Sequence, residues 1–163
     1  MVECISYERV KADDVLGAAV TGTPILGVFN ISSRPLTEII PLASFPGVLQ
    51  SLTYIVRSHT ARRTTPPLTL DRLDASVSLT LDVRGYEIYT AFATAVFESE
   101  SLGRVRVANL GLVGKMTGAA AIVSNSISLE HNGRVFLDTK LKALGVLGKS
   151  SFLSGTFMAL MCV

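Results

Sequence analysis

Hydrophobic and polar residues alternate with a period of two in the segment ASVSLTLDV (75–83). Its apolar residues fall on one side of an extended chain and its hydroxyl and acidic residues on the other, the pattern of a strand with one buried face. Arg84 and Gly85 then turn the chain into a second strand. Because each such strand buries one face, the pattern predicts a core that contains Val77, Leu79, Leu81, Ile88, Val135 and Leu137.

Six further segments carry strand patterns. They are 23–32, 52–59, 86–97, 103–112, 118–129 and 134–147. Segment 86–97 is apolar on both faces, which favours a central strand. Segment 103–112 loses its phase near Asn109 and Gly111, which indicates a bulge or the end of pairing. The segment 34–48 contains three prolines and predicts an irregular connection. The sequence therefore predicts an all-β protein, an antiparallel β-sandwich of about seven strands with little helix.

The predicted sandwich spans residues 23–148 and is preceded by an N-terminal segment, 1–22, whose organisation stays open beyond a helical turn near 7–20. Residues 149–163 form an atypical tail, apolar but without a strand or helix period. At 163 residues the chain is long enough to bury a real core and to form one domain. Its composition, 48% hydrophobic and 17% charged, is that of a globular protein.

Charge and cysteine content exclude several classes of function. The net charge is +2 and the only adjacent basic pair is Arg62-Arg63. The sequence therefore does not show the clustered basic residues that are typical of a nucleic-acid-binding surface. Cys4 and Cys162 stand at opposite ends, so neither a disulfide framework nor metal-ligand spacing is indicated. The N-terminus lacks an apolar signal core and the C-terminal apolar run is too short to span a bilayer. We expect a cytoplasmic location, no membrane partner, no metal and no cofactor.

The octapeptide ALGVLGKS (143–150) matches the loosest form of a phosphate-binding loop. Such a loop needs a helix of several turns after it, because backbone N–H groups at the helix N-terminus surround the phosphates. It also needs later strands that bring a metal-binding Asp, and only thirteen residues follow here. A second glycine-rich segment, GLVGKMTG (111–118), has Met116 where a phosphate loop has Ser or Thr. We interpret it as a tight loop whose glycines supply positive φ.

Residues that could carry catalysis are few. Asp82 and Glu87 flank one turn, but their places in the strand pattern predict solvated face residues rather than the converging acids of a glycosidase. His59 follows a strand and is interpreted as a structural histidine, the alternative being contact with a ligand or neighbouring domain. His131 belongs to a turn, and no Ser lies in a nucleophile elbow. We therefore assign no catalytic, cofactor-binding or metal-binding residue.

Two further sequence features concern the binding of sugars and N-glycosylation. There is no Trp, and three of the four Tyr, namely Tyr54, Tyr86 and Tyr89, fall in predicted strands. Few flat aromatic platforms are therefore expected for stacking on sugars. The sequon Asn30-Ile31-Ser32 is discounted because no signal peptide precedes it.

Four segments, in order, resemble a known family. They are LGVFN (26–30), LTYIVRSHT (52–60), VSLTLDVRGYEIYTA (77–91) and VRVANLGLVGKMTGAAAI (105–122). Together they are similar to the C-terminal region of the raffinose synthase, seed-imbibition and alkaline α-galactosidase group of glycoside hydrolase family 36, in a fungal-like variant. The resemblance covers roughly three quarters of the chain and rests on order and spacing, not on one decisive motif.

The resemblance implies a specific kind of function. Members of the family hydrolyse α-galactosides or transfer galactosyl groups with two Asp residues of a (β/α)₈ barrel, which this chain lacks, so no catalytic residue is carried over. What the resemblance implies is the non-catalytic β-sandwich that packs against the barrel, inactive alone and with galactosides or oligosaccharides as ligands of the whole enzyme. The alternative is a free-standing β-sandwich that binds carbohydrate or a protein partner.

The change of character near 148 suggests a hypothesis about the tail. Gly-Lys-Ser can be encoded GGT-AAG-TCN, which contains the splice-donor sequence GTAAGT. Residues from about Lys149 onward are then intron read-through, and they are expected to pack poorly on the sandwich, leaving Phe152, Phe157 and Met158 exposed. A messenger RNA read continuously through codon 149, with no spliced form, would contradict this.

Overall fold

The computed structural model describes residues 2–6, 23–72, 75–99, 103–112, 114–115, 118–129, 135–142, 145–153 and 156–161. These residues are almost entirely β-strand, and every strand pairing among them is antiparallel. The predicted all-β class is therefore confirmed. The described residues divide into two compact units, one formed by 2–6 and 23–93 and the other by the chain from 94 onward.

The described residues of the first unit form seven strands. They are β1 (Val2–Ser6), β2 (Ile25–Asn30), β3 (Leu36–Pro41), β4 (Thr53–Ser58), β5 (Leu68–Thr69), β6 (Ser76–Leu81) and β7 (Tyr86–Ala93). Five of them form a sheet in the order β1-β2-β7-β4-β5, while β3 and β6 form a separate two-stranded ribbon. One turn of 3₁₀ helix, Leu42–Ser44, follows β3.

The core of the first unit lies between the ribbon and one face of the five-stranded sheet. Apolar side chains of the ribbon and of the segments beside it meet those of β2, β4 and β7. The members of this core are Leu26, Val28, Ile40, Leu42, Phe45, Tyr54, Val56, Ala75, Val77, Leu79, Leu81, Tyr89 and Ala91. The period-two pattern therefore places Val77, Leu79 and Leu81 in the core as predicted, whereas Val83, which lies beyond the end of β6, is exposed.

The second unit contains six strands in the described residues. They are β8 (Ala95–Ser99), β9 (Gly103–Leu112), β10 (Ile122–Leu129), β11 (Val135–Leu141), β12 (Leu147–Leu153) and β13 (Thr156–Met161). Four form a sheet in the order β13-β12-β9-β8, and β10 pairs with β11. A 3₁₀ turn, Gly118–Ala121, precedes β10. No helix among the described residues is long and apolar enough to cross a membrane.

Several local predictions are confirmed. The pairing of β9 with β12 shifts register between Gly111 and Asn109, which is the predicted bulge. Gly111 and Gly114 both have positive φ, 66° and 80°. The turn after β6 is closed by a hydrogen bond from Gly85 N–H to Asp82 C=O at 2.8 Å.

One core prediction is wrong for a geometric reason. Ile88 is only half-buried, because the register of β7 turns Tyr89 and Ala91 toward the core and leaves Ile88 on the opposite face. The apolar residues of β7 occur on both faces, so its period could not show which face is inward. The strand that holds Val135 and Leu137, β11, forms as predicted, but the side chains of these two residues lie outside the described part.

More strands form in the described residues than the sequence predicts: β1 and β5 lie outside the seven predicted segments, and three further segments account for the other additional strands. The proline-rich 34–48 was expected to be irregular, yet β3 forms there, with Pro41 at its end. The predicted strand 86–97 divides at Thr94 into β7 and β8. The tail, which shows no strand period, forms β12 and β13, and β12 pairs with β9 along seven residues. The side chains of the tail, including those of Phe152, Phe157 and Met158, lie outside the described part of the structure. Their exposure therefore stays a prediction.

Candidate functional site

A cleft of about 760 Å³ opens in the first unit. One side is lined by seven consecutive residues, Ser76 to Asp82, and the other by residues between Val56 and Leu68. Gly85, Tyr86, Glu87 and Tyr89 complete the lining. The cleft is rich in hydroxyl groups, which come from Ser58, Thr60, Thr64, Thr65, Ser76, Ser78 and Thr80.

The far wall of the cleft is a tight return of the chain after β4. Ser58 N–H donates to Arg63 C=O at 2.9 Å, and Arg63 N–H donates to Ser58 Oγ at 3.0 Å. Thr65 N–H then donates to Val56 C=O at 2.9 Å, while Thr65 Oγ1 accepts from Val56 N–H at 3.0 Å. Arg62 takes a left-handed conformation, with φ of 55°, to close the return. The return after β4 therefore has a fixed shape.

Glu87 anchors this return through a buried carboxylate. The residue is only 4% exposed, and Oε1 accepts from Thr60 N–H at 2.7 Å and Ile88 N–H at 2.9 Å. Oε2 accepts from Ala61 N–H at 3.0 Å. The prediction that Glu87 is a solvated face residue is wrong. Residues 87 and 89 lie on the same face of β7, so the register that turns Tyr89 inward also turns Glu87 inward. A buried carboxylate needs such charge-assisted bonds to offset its lost hydration.

Asp82, the other acid of this turn, is exposed as predicted. Its main chain stabilises the turn after β6, because its carbonyl accepts hydrogen bonds from Gly85 N–H and from Asn30 Nδ2, the latter at 2.9 Å. The two acids therefore have different surroundings, one in solvent and one engaged by three backbone amides. This is not the arrangement of a nucleophile and an acid/base that face one bond.

The tyrosines of the first unit differ in environment. Tyr54 is fully buried and its hydroxyl accepts from Leu49 N–H at 3.0 Å; burial raises its pKa. Burial, reinforced by the negative charge of Glu87, raises the pKa of Tyr89 to about 12. Tyr86 is 52% exposed and stacks on Phe29, with ring centroids 6.0 Å apart. Tyr86 is thus an exposed aromatic ring at the cleft.

Asn30 fixes the end of β2 to the turn after β6. Its Nδ2 donates to the carbonyls of Arg34, Leu81 and Asp82, and its Oδ1 accepts from both Ser32 N–H and Ser32 Oγ. At 2% exposure the amide nitrogen is fully engaged. The sequon that begins at Asn30 therefore has a structural explanation, because its amide serves as a hydrogen-bonding hub.

The remaining residues that the sequence singles out are dispersed. His59 is half-buried beside the return, where its N–H donates to Ile88 C=O at 2.8 Å. Lys115 is exposed, and Lys149 lies within β12, so the Gly-Lys-Ser of the octapeptide is strand and not a loop before a helix. His131, Cys162 and Met116 lie outside the described residues. Among the residues that are described, no three His, Cys, Asp or Glu could together hold a metal ion.

Comparison with known proteins adds no assignment: no model of a protein family matches the chain, and no curated protein matches it.

No pattern in the sequence indicates the cleft. It arises because β6 pairs with β3 and not with its neighbours along the chain, a choice that alternation cannot specify. One signal was available for Glu87: it is the only charged residue in the largely apolar and aromatic run YEIYTAFA. An acid within such a run is either exposed or bound by several donors, and only the register decides between them.

Proposed function

We propose that the chain is the non-catalytic C-terminal accessory domain of a family 36-like α-galactosidase or raffinose synthase, inactive alone. The four sequence segments that resemble the family in the same order support this proposal, as does the antiparallel β fold in which they lie. The observation that carries the proposal is the state of Glu87. Both of its carboxylate oxygens accept backbone N–H groups, so this acid, one of the two that flank the turn, serves the fold and not catalysis.

A cluster of exposed apolar side chains supports a partner for this unit. Ile31 is 56% exposed, Val83 45% and Tyr86 52%. Asn30 joins their segments, because its N–H donates to Gly85 C=O at 2.9 Å and its side chain binds the carbonyls of 81 and 82. Contiguous exposed apolar surface marks interaction sites, and these three residues lie on adjoining segments. We assign this cluster, Ile31, Val83 and Tyr86, to contact with the (β/α)₈ barrel.

The proposal predicts that the purified polypeptide neither hydrolyses nor transfers α-galactosides. Catalysis of this class requires two carboxyl groups placed across the glycosidic bond, and Glu87 is committed to Thr60, Ala61 and Ile88. The measurement is galactose release from raffinose and from an aryl α-galactoside, against a mock-purified control. Release above that control which Glu87→Gln or Asp82→Asn abolishes would refute the proposal.

A second candidate function, a free-standing binding module, is favoured by one observation. The cleft presents seven hydroxyl-bearing residues from Ser and Thr and the exposed ring of Tyr86. Concave sites with a few oriented polar groups are where proteins bind ligands. The two candidates make different predictions, since a module binds a ligand without any barrel.

A further inference from the structure

Strand β6 has an edge that no other strand covers in the described part of the chain. It pairs with β3 on one side, from Leu36 opposite Leu81 to Pro41 opposite Ser76. The ribbon contains these two strands alone among the described residues. Unpaired backbone groups along a strand edge form a template for another strand.

The phase of the ribbon shows which backbone groups lie on that edge. Leu42 N–H donates to Ala75 C=O at 2.9 Å, and Pro41, which has no N–H, stands opposite Ser76. In an antiparallel pair, residues alternate between those bonded across the ladder and those whose N–H and C=O point away. Ser78 and Thr80 therefore direct their backbone groups away from β3.

The cleft lies along this same edge, since its lining contains every residue from Ser76 to Asp82. A strand is about 4.8 Å wide and about 10 Å thick, and it rises about 3.3 Å per residue, so each residue fills about 160 Å³. A cleft of about 760 Å³ therefore holds about five residues. That length is close to the six residues of β6.

We propose that the cleft binds one extended peptide segment, which adds as a strand to the edge of β6 at Ser78 and Thr80. Backbone hydrogen bonds supply affinity in this mode, and alternate side chains supply specificity. Side chains of the peptide that point inward meet Leu68, which is partly buried against the core, and are apolar. The others lie beside the hydroxyls of Ser78 and Thr80, where Thr or Ser pairs well across strands.

The walls of the cleft favour a single peptide over a second copy of this protein. The return from Ser58 to Leu68 stands opposite β6 and is fixed by its own hydrogen bonds and by Glu87. A neighbouring sheet would bring its second strand into this return, whereas one isolated strand would not. The inference rests on the second candidate function, the binding module, and specifies its ligand.

The test uses the full chain labelled with ¹⁵N and a capped peptide of sequence KTVTVTK. Peptide is added up to about 1 mM, the range of weak encounter complexes. We expect shifts concentrated at cleft residues, and amide exchange at Ser78 and Thr80 slowed about tenfold at saturation. The amides of Thr37 and Ile39, on the opposite edge of the ribbon, should keep their exchange rates.

Two proline variants give a matched pair, since Ile39 stands directly opposite Ser78. Ser78→Pro removes an outward N–H from the cleft edge, and Ile39→Pro removes one from the other edge. Proline is tolerated at such edge positions, as Pro41 already shows at the end of β3. Ser78→Pro should abolish peptide binding while Ile39→Pro retains it, with circular dichroism confirming that each is folded.

Three outcomes would overturn the inference, and they separate it from the binding-module function. Shifts at the cleft with raffinose but not with the peptide would retain a binding module and exclude a peptide ligand. Absence of shifts with either would contradict both. Slowed exchange of Ser78 that depends on protein concentration, without peptide, would identify a second copy as the occupant. If a proline variant fails to fold, the exchange measurement on the unaltered chain still distinguishes these outcomes.

Discussion

Replacing Glu87 with Ala is expected to lower the free energy of unfolding by about 4 kcal/mol. The residue is 4% exposed and accepts hydrogen bonds from Thr60, Ala61 and Ile88. Hydrogen bonds to a charged group contribute about 1.5–3 kcal/mol each, and a buried N–H left without an acceptor costs about 1–3 kcal/mol. Water reaches part of the return after β4 and can replace some of the lost hydrogen bonds. The expected loss is therefore about 4 kcal/mol, less than the sum of these contributions.

Two further variants make the Glu87 measurement specific. Glu87→Gln keeps an oxygen for Thr60 and Ile88 but turns an NH₂ group toward the N–H of Ala61, and we expect a loss of about 1–2 kcal/mol. Asp82→Ala, at the exposed acid of the same turn, should stay within about 0.5 kcal/mol of the parent. Urea unfolding measures all three. Equal, small losses in Glu87→Ala and Asp82→Ala would show that the buried carboxylate does not hold the return.

Ending the chain at Val146, before β12, is expected to unfold the sheet of the second unit. Strand β12 lies between β9 and β13 and pairs with β9 at seven positions. At about 1 kcal/mol net for each backbone hydrogen bond, the lost ladder is comparable to the whole stability of a small domain, about 5–15 kcal/mol. Removal of β12 also leaves the apolar strand β9 with an open edge.

The matched control ends the chain at Leu153, which removes β13 and keeps β12. Because β13 pairs with β12 alone in the described residues, this deletion should leave amide protection in β8 and β9 largely intact. Hydrogen exchange measured by mass spectrometry reports on both truncations. Full protection of β9 in the chain that ends at Val146 would contradict the structural role of β12 and would favour the read-through hypothesis for the tail.

The sequence predicted those strands whose side chains alternate in chemistry. Val77, Leu79 and Leu81 alternate with Ser and Thr, so their burial followed from period alone. Strand β3 was missed because prolines usually exclude a central strand; Pro41 is compatible with β3 because it ends the strand at a position whose missing N–H would point outward. Strand β12 was missed because LGKSSFL has no regular alternation, and its pairing is a long-range choice.

The candidate site was less predictable than the fold. The inward position of Glu87 depends on which face of β7 meets the core, and a strand with apolar residues on both faces leaves that open. The cleft depends on β6 pairing with β3 over a long separation. Both are properties of register and topology, which period-two patterns do not encode.

The central claim, an accessory domain that packs on a catalytic barrel, is tested most directly by reconstituting that contact. This polypeptide is mixed with the (β/α)₈ barrel of a family 36 galactosidase from which its own C-terminal region has been removed, and mass is measured by light scattering after gel filtration. We expect a one-to-one complex at about 10 μM, weakened at least about tenfold by Ile31→Lys in the exposed cluster. Ile39→Lys, at a residue 69% exposed outside that cluster, should leave it unchanged. Absence of a complex, or equal loss with both lysine variants, would contradict the proposal.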